Sequence, residues 1–225
     1  VTKNYFESEE GKGFYKYFVN HEIFHNWNLF YVRWSGKLYE WFGEGGADFI
    51  AAWAFEQLEG EESGGAARKY FTERFSQKKG YNSAQTLEDV KKTGPTERAL
   101  IYGYGSLVWE QLRQKLGDGA FFTGLGNFFK QNGFKDVNYQ NFIENLQAQT
   151  TVDVESYLNQ WIKENAKIKL SVDNVKIQKK NRFYQTDIEI SVISDKNYEL
   201  FTSIGYKTAS QTRFQTVPVH LSTKG

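Results

Sequence analysis

Cysteine and methionine are absent from this 225-residue sequence, and proline occurs only twice. Without cysteine the chain forms no disulfide, no thiolate metal site and no iron–sulfur cluster, and it has no thiol nucleophile. No run approaches the roughly 18 consecutive apolar residues of a transmembrane helix, so we expect no membrane-spanning segment. The 28 basic and 27 acidic side chains nearly cancel, which argues against a nucleic-acid partner.

The composition that remains is typical of a globular protein with a well-filled interior. Hydrophobic residues make up 40% of the chain, charged residues 24% and aromatic residues 17%. Position 1 is valine, so we expect that the chain as given does not begin at the translation start. A signal peptide cannot be judged from it, and the sequence leaves the compartment undetermined.

The hydrophobic pattern of the first part of the chain is helical. Apolar residues recur at helical spacing, which predicts helices over about 66–77, 97–116, 118–131, 138–149 and 153–164. Gly117 is expected to end a helix, and Asn138 and Asp153 are expected to cap two others. Residues 61–65 and 80–83 are expected to form loops.

The pattern changes to a period of two near residue 166. Apolar and polar residues then alternate, which predicts β-strands with a turn at Lys179-Lys180-Asn181. Residues 1–165 carry 18 basic and 22 acidic side chains, whereas residues 166–225 carry 10 and 5. We therefore predict a helical domain over 1–165 and a β domain over 166–225. The second is short for a complete β-sandwich, so we expect it to be a truncated one, the start of a β-sandwich.

Two of the three histidines lie in the motif His21-Glu22-x-x-His25, on a predicted helix. Residues four apart on an α-helix differ by about 400° of rotation, so both imidazoles lie on one face, one turn apart. This geometry lets both bind one metal ion, with Glu22 beside the ion as general base and not as a ligand. The motif predicts one zinc ion per chain.

A catalytic zinc site takes three protein ligands and leaves a fourth position for water. Here 18 residues, 26–43, separate His25 from Glu44-Gly45, and this arrangement resembles the M1 family of zinc aminopeptidases, which are gluzincins. The resemblance implies that His21, His25 and Glu44 bind the zinc and that the substrate is a peptide. It also implies a mainly α, thermolysin-like zinc peptidase catalytic domain, followed by the small β domain.

A second segment, Tyr102-Gly103-Tyr104-Gly105, is similar to the Tyr-x-Lys-Gly segment of the same family. By this resemblance Tyr102 donates a hydrogen bond to the oxyanion that forms on the substrate carbonyl. A tyrosine buried in the core is the alternative interpretation of Tyr102. Tyr104, two residues on, is expected to point elsewhere. Val217-Pro218-Val219 resembles a strand of the family's β domain.

The sequence departs from the family pattern in three ways. Gly46 stands where an aromatic residue usually follows Glu-Gly, and Tyr104 stands where lysine is usual. His25-Asn26-Trp27-Asn28 instead echoes the related M61 glycyl aminopeptidases. The strand that binds the free amine of the substrate, of the Gly-Ala-Met-Glu-Asn type, is missing because the chain has no methionine. We expect it in an upstream N-terminal domain of a longer protein.

Asp48 lies four residues after Glu44 and therefore on the same helical face. Metal-bound imidazoles usually donate their second N–H to a carboxylate, and thermolysin-like relatives have the same Glu-x-x-x-Asp pattern. We therefore expect Asp48 to orient His21 or His25. An acidic residue on the helix surface is the alternative.

Two further features near Glu44 favour a structural interpretation. Gly45 and Gly46 are poor helix formers beside a ligand, so they indicate close backbone approach, either by the metal-binding helix or by substrate. The aromatic residues between the two motifs either line a substrate cleft or, more commonly, pack in the core; they are Trp27, Phe30, Tyr31, Trp34, Tyr39 and Trp41.

The favoured function is a zinc-dependent metallopeptidase that hydrolyses peptide bonds through a zinc-activated water, most simply an aminopeptidase. Within this class an endopeptidase or an epoxide hydrolase on the same scaffold is the alternative. Outside it the alternative is a non-catalytic zinc-binding or peptide-binding scaffold. Glu22 argues against a scaffold, because a purely structural zinc needs no base and favours four protein ligands.

Overall fold

The computed structural model describes residues 9–78, 85–164, 168–194, 196–206, 208 and 215–222. It divides into two units, Val1–Asn165 and Ala166–Gly225. The predicted loop at 80–83 lies outside the described residues. Among those residues, no helix is both long enough and apolar enough to cross a membrane.

Helices build the first unit, together with one short parallel strand pair. The α-helices are α1 (Glu9–His25), α2 (Gly46–Glu59), α3 (Glu61–Gln77), α4 (Pro95–Ala99), α5 (Gly105–Leu116), α6 (Asp118–Asn132), α7 (Tyr139–Gln147) and α8 (Val154–Ile162). The strands are β1 (Arg33–Trp34) and β2 (Asp136–Val137), which pair in parallel. The mainly helical character predicted for this part of the chain is therefore confirmed.

Local sequence signals define several helix ends as predicted. Gly117 has a φ of 76° at the end of α5, in the left-handed region that glycine adopts without steric cost. Asn138 forms a capping box with Asn141 at the start of α7. The Asp153 side chain accepts a hydrogen bond from the backbone N–H of Ser156 at the start of α8. These caps satisfy backbone N–H groups that have no partner within the helix.

The prediction of a loop at residues 61–65 was wrong, because α3 begins at residue 61. The break between α2 and α3 is the single residue Gly60, whose φ is 93°. Gly64 lies inside α3, where a Cβ atom would collide with the side chain of Glu56 on α2. The glycine therefore permits close packing of two helices and does not mark a loop.

Three π-helical turns interrupt the helices at the positions that carry the candidate site residues. They cover Asn26–Tyr31, Trp41–Gly45 and Leu100–Tyr104. The first directly follows His25, the second contains Glu44 and the third contains Tyr102. A π turn inserts extra backbone into a helix and is frequent at functional sites, because it redirects the side chains around it. The region predicted as one helix over 97–116 is thus helical but contains such a turn.

A buried aromatic cluster holds the Glu44 turn in place. Trp41 is fully buried and stacks on Trp109 of α5, with 5.1 Å between ring centroids. Phe42 is fully buried and stacks on Trp34, with 4.0 Å between centroids. The indole N–H of Trp41 also donates to the carbonyl of Gly105 at 3.2 Å. Of the aromatic residues between the two motifs, Trp34 and Trp41 therefore belong to the core.

The described part of the second unit consists of two antiparallel hairpins. Their strands are β3 (Lys169–Lys180), β4 (Phe183–Ile193), β5 (Glu199–Tyr206) and β6 (Gln215–Ser222). The β3–β4 turn is Asn181-Arg182, so the predicted turn was wrong for Lys179 and Lys180, which pair with Tyr184 and Phe183 as part of β3. Asn181 has a φ of 54°, which asparagine tolerates better than lysine does.

Candidate active site

The structure gathers all six predicted site residues around one cavity of about 980 Å³. These are His21, Glu22, His25, Glu44, Asp48 and Tyr102. Helix α1 supplies the first three, the π turn before α2 supplies Glu44, α2 supplies Asp48, and the π turn before α5 supplies Tyr102. Residues 81 positions apart in sequence thus line the same cavity.

The two histidines and Glu44 converge on one point. His21 Nε2 and His25 Nε2 lie 3.1 Å apart. Glu44 Oε2 lies 3.3 Å from His21 Nε2 and 3.6 Å from His25 Nε2. Two ligand atoms about 2.0–2.1 Å from a tetrahedral zinc ion are separated by about 3.3 Å. The two nitrogens and the carboxylate oxygen therefore fit a zinc ion in both chemistry and spacing.

The Asp48 carboxylate orients His21. Asp48 Oδ1 lies 2.7 Å from His21 Nδ1, and Asp48 is almost fully buried. Nη1 of Arg74, on α3, lies 3.6 Å from Oδ2, the other carboxylate oxygen of Asp48. Because Nδ1 of His21 is engaged in this way, Nε2 is the nitrogen that points to the metal position.

A fully buried amide, Asn28, orients His25. Its Nδ2 donates to the carbonyls of Phe42 and Gly43, at 2.9 and 2.8 Å. These two donations fix the amide orientation, so Oδ1 is the atom that faces His25 Nδ1, at 3.1 Å. An amide oxygen only accepts, so Nδ1 of His25 carries the proton and Nε2 offers its lone pair. Asn28 also joins the histidine helix to the turn that carries Glu44.

Lys92 is a site residue that sequence analysis missed. Its ammonium group pairs with Oε1 of Glu44 and lies 3.1 Å from Oε2 of Glu40. One oxygen of Glu44 therefore faces the histidines while the other faces Lys92. Burial raises the pKa of Glu44, but hydrogen bonds from His21, His25 and Lys92 lower it far below its usual range. The Glu44 carboxylate is thus anionic at physiological pH.

The electrostatic environment of His21 is dominated by two carboxylates. Burial lowers the pKa of His21, but hydrogen bonds to Asp48 and Glu44 raise it to about 9. In metal-free protein at neutral pH the ring therefore carries both protons. A metal ion at Nε2 replaces one of them.

The Tyr102 phenol remains protonated at neutral pH. Burial and the negative charge of Glu44 raise the pKa of Tyr102 to about 12. Its ring lies nearly parallel to that of His21, with 6.2 Å between centroids, and the Arg74 guanidinium carbon is 4.9 Å from its centroid. The phenol is thus available as a hydrogen-bond donor beside the metal position. Tyr104 instead donates to the carbonyl of Trp161, at 3.2 Å.

Glu22 is exposed on the cavity side of α1. It is one position from His21, so the helix directs it away from the point where the histidine nitrogens converge. A carboxylate in this place is able to accept a proton from a water molecule near the metal position. The exposed ring of Phe30 lines the cavity as well, whereas Trp27 and Tyr39 are exposed outside it.

The glycine beside Glu44 permits contact with the Tyr102 segment. A Cβ atom on Gly45 would lie 3.1 Å from the carbonyl oxygen of Ile101 and 3.3 Å from Cα of Gly105. Such distances are tighter than almost all real Cβ contacts. The close approach is therefore made by the backbone around Tyr102 and not, as expected from the sequence, by the helix that carries the histidines. It brings the phenol and Glu44 to the same cavity.

Comparison with known families identifies the M1 peptidase family. The model described as "Peptidase family M1 domain" matches residues 4–161 of the chain. A curated relative, an aminopeptidase N of Lactococcus lactis subsp. lactis, is 24% identical over 156 residues. The aligned part is 65% of this chain and 18% of that protein.

Solved structures of similar fold include two peptidases. Legionella pneumophila aminopeptidase A has a TM-score of 0.59 at 20% identity, covering 92% of this chain and 24% of that one. A variant of an M1 zinc metallopeptidase from Deinococcus radiodurans, bound to a Tyr-Ser-Ala substrate, has a TM-score of 0.53 at 22% identity. That match covers 65% of this chain and 32% of the other. The chain thus spans less than a third of each of these relatives.

Proposed function

Because the chain belongs to peptidase family M1, we propose that it is the catalytic part of a zinc-dependent aminopeptidase. The observation that carries this proposal is the convergence of His21, His25 and Glu44, whose ligand atoms all lie within 4.8 Å of one another. Glu22 and Tyr102 line the same cavity. A proton acceptor and a proton donor thus flank a set of three zinc ligands.

One zinc ion per chain is proposed, held by His21, His25 and Glu44. When bound there, zinc would supply a Lewis acid for the substrate carbonyl and lower the pKa of a water molecule. Asp48 and Asn28 hold the two imidazoles with Nε2 toward the ion, and Lys92 holds the second oxygen of Glu44 away from it. Three protein ligands leave a fourth position for water or substrate.

The proton transfers are assigned to Glu22. Its carboxylate accepts the proton of the attacking water and later delivers it to the amine of the leaving peptide. The Tyr102 phenol, which stays protonated, donates to the substrate oxygen as negative charge develops on it. Both groups are supplied by this chain, and neither needs to ligate the zinc.

The finer domain assignment is part of the same proposal. Residues 1–165 are assigned as a thermolysin-like catalytic domain, and residues 166–225 as the start of a β-sandwich. An upstream N-terminal domain of a longer protein is proposed to bind the free amine of the peptide substrate. This assignment agrees with the small share of each relative that the chain covers.

The proposal is tested by comparing an aminoacyl amide with its N-acetylated twin. The chain alone is expected to bind zinc and hydroxamate chelators but to cleave both substrates slowly, because positioning contributes about 7–11 kcal/mol to many enzymatic rates. Addition of the upstream region should raise kcat/KM for the free-amine substrate far more than for the blocked one.

Other outcomes of that comparison point to the alternative functions. Equal hydrolysis of the two substrates, unchanged by the upstream region, would indicate an endopeptidase. Zinc binding without hydrolysis of any peptide by the longer protein would indicate a non-catalytic scaffold. Hydrolysis of an epoxide without hydrolysis of peptides would indicate an epoxide hydrolase.

Substitution of Tyr102 by phenylalanine is expected to reduce kcat by about 10²–10³, because removal of one oxyanion donor has this effect in well-studied enzymes. Zinc content and the melting temperature should stay nearly unchanged, since the phenyl ring keeps its packing beside His21. Steady-state kinetics on an aminoacyl amide measure the effect.

Tyr104→Phe is the matched control for Tyr102→Phe. The phenol of Tyr104 donates to the backbone of Trp161, so its loss should reduce stability by about 1 kcal/mol and leave kcat unchanged. A larger kcat defect in Tyr104→Phe than in Tyr102→Phe would transfer the oxyanion role to Tyr104.

A further inference from the structure

Two cationic side chains line the cavity beyond Tyr102. Lys78 stands at the C-terminal end of α3, and Arg98 belongs to α4; both are exposed and both line the cavity. The acidic residues that line it are the three already placed around the zinc ligands, Glu22, Glu44 and Asp48. The acidic side chains of the lining are thus those around His21 and His25, and we call this part of the cavity its inner end. Lys78 and Arg98 have no role in the mechanism proposed above.

Helical spacing places Arg98 about one turn from Tyr102 and Lys78 about one turn from Arg74. Arg98 precedes Tyr102 by four residues, and Lys78 follows Arg74 by four, so each pair shares one helical face. At the inner end the Arg74 guanidinium carbon is 4.9 Å from the centroid of the Tyr102 ring. Next to the two cations, the Thr96 hydroxyl of α4 donates to the carbonyl of Lys78 at 3.5 Å. This hydrogen bond links α4 to the end of α3.

Lys78 and Arg98 differ in their partners from Arg74, which also lines the cavity, and from Lys92, which is not among its lining residues. Arg74 lies beside Asp48, and Lys92 pairs with Glu40 and Glu44. In the described part of the chain, no carboxylate pairs with the side chain of Lys78 or Arg98. Four apolar side chains also line the cavity: Phe14, Phe18, Leu29 and Phe30. Within the described residues, these two positive charges on the cavity lining therefore have no carboxylate partner.

We infer that Lys78 and Arg98 form a subsite for a carboxylate of the peptide substrate, an inference that rests on the proposed peptidase function. One helical turn rises about 5.4 Å, whereas an extended peptide advances about 3.3–3.6 Å per residue. A carboxylate one or two residues from the cleaved bond would thus be at the correct distance to reach Lys78 and Arg98. The group is either an acidic side chain or the free C-terminus of a short peptide. Arginine binds carboxylates through two parallel hydrogen bonds, which favours this ligand over a neutral amide.

The subsite is tested by peptide binding to zinc-loaded Glu22→Gln protein, in which hydrolysis is blocked. Two substrate pairs distinguish the sources of the carboxylate: Leu-Asp amide against Leu-Asn amide for the side chain, and Leu-Ala against Leu-Ala amide for the C-terminus. Calorimetry should show that the charged member of at least one pair binds about 5- to 20-fold more tightly. The preference should decrease as salt is added, because the two cations are exposed.

The double variant Lys78→Gln/Arg98→Gln is expected to abolish the preference and leave the Kd of the neutral member unchanged. The control is Lys69→Gln/Lys91→Gln, which removes the same net charge from exposed lysines that do not line the cavity. This control should keep the preference. The subsite is disproved if neither pair shows a preference, if the preference survives in Lys78→Gln/Arg98→Gln, or if the control loses it as well.

Hydrolysis assays on the wild-type protein separate this inference from the proposed function. Normal cleavage of neutral aminoacyl peptides with no carboxylate preference would refute the subsite alone. A carboxylate preference in binding, without cleavage of any peptide even when the upstream region is present, would refute the peptidase function and leave the subsite intact.

Discussion

Replacement of Glu22 by glutamine is expected to reduce kcat by about 10²–10⁴ while one zinc ion per chain stays bound. General acid–base catalysis by a positioned side chain contributes rate factors of this size. The amide has nearly the same shape as the carboxylate but cannot accept the proton of the attacking water. Glu22 is exposed on the cavity wall, so the substitution should leave the melting temperature unchanged. Single-turnover kinetics and elemental analysis on the same preparation measure both quantities.

Glu44→Gln is the contrasting variant for this experiment. Glu44 lies against both histidine nitrogens and against Lys92, so loss of its charge should weaken zinc binding first and activity as a consequence. Excess zinc should therefore restore part of the activity of Glu44→Gln and none of that of Glu22→Gln. If both variants lost zinc equally, the division into ligand and base would be wrong.

Replacement of His25 by alanine is expected to abolish peptidase activity and weaken zinc binding by more than 100-fold. Removal of a side chain that only orients a ligand typically weakens metal binding by about 10- to 100-fold, and removal of the ligand itself should weaken it further. Asn28→Ala removes the hydrogen-bond partner of His25. The zinc affinity of this variant should therefore lie between those of His25→Ala and the wild type. Competition with a chromophoric chelator measures the affinities.

His220→Ala is the control for His25→Ala, because His220 is the third histidine of the chain and lies on β6. Its imidazole pairs with Glu199 at 2.8 Å, in the second unit. Zinc affinity and activity should not change in this variant. Wild-type zinc affinity in His25→Ala would contradict the proposed ligand set.

Much of the arrangement of the candidate site was predictable because it is encoded locally. The spacing of His21 and His25 places both rings on one face of a helix in any fold, and this needs no knowledge of packing. The same holds for the caps Asn138 and Asp153, whose hydrogen bonds reach only three residues along the chain. The resemblance to the M1 family, which depends on short motifs, is confirmed by the family match over residues 4–161.

The prediction of a loop at residues 61–65 was wrong because it considered only local helix propensity and not packing between helices. Two glycines lower the helix propensity of this segment, so the sequence favours a loop. Contact between α2 and α3 outweighs that propensity, because only a glycine at position 64 leaves room for the Glu56 side chain. Propensity differences amount to about 1 kcal/mol per glycine, and packing between helices readily exceeds them.

The sequence by itself thus determined the type of side chains at the candidate site. It places the imidazoles of His21 and His25 one helical turn apart, Glu22 between them along the chain, and Glu44 at a fixed spacing after them. The tertiary structure alone decided which groups orient and balance these ligands. Lys92 reaches Glu44 across 48 positions, and Arg74 reaches Asp48 across 26. Such pairings follow from the way separate helices pack, and no periodicity or spacing along the chain encodes them. For the same reason, the choice of His21 over His25 as the partner of Asp48 became apparent only in the folded chain.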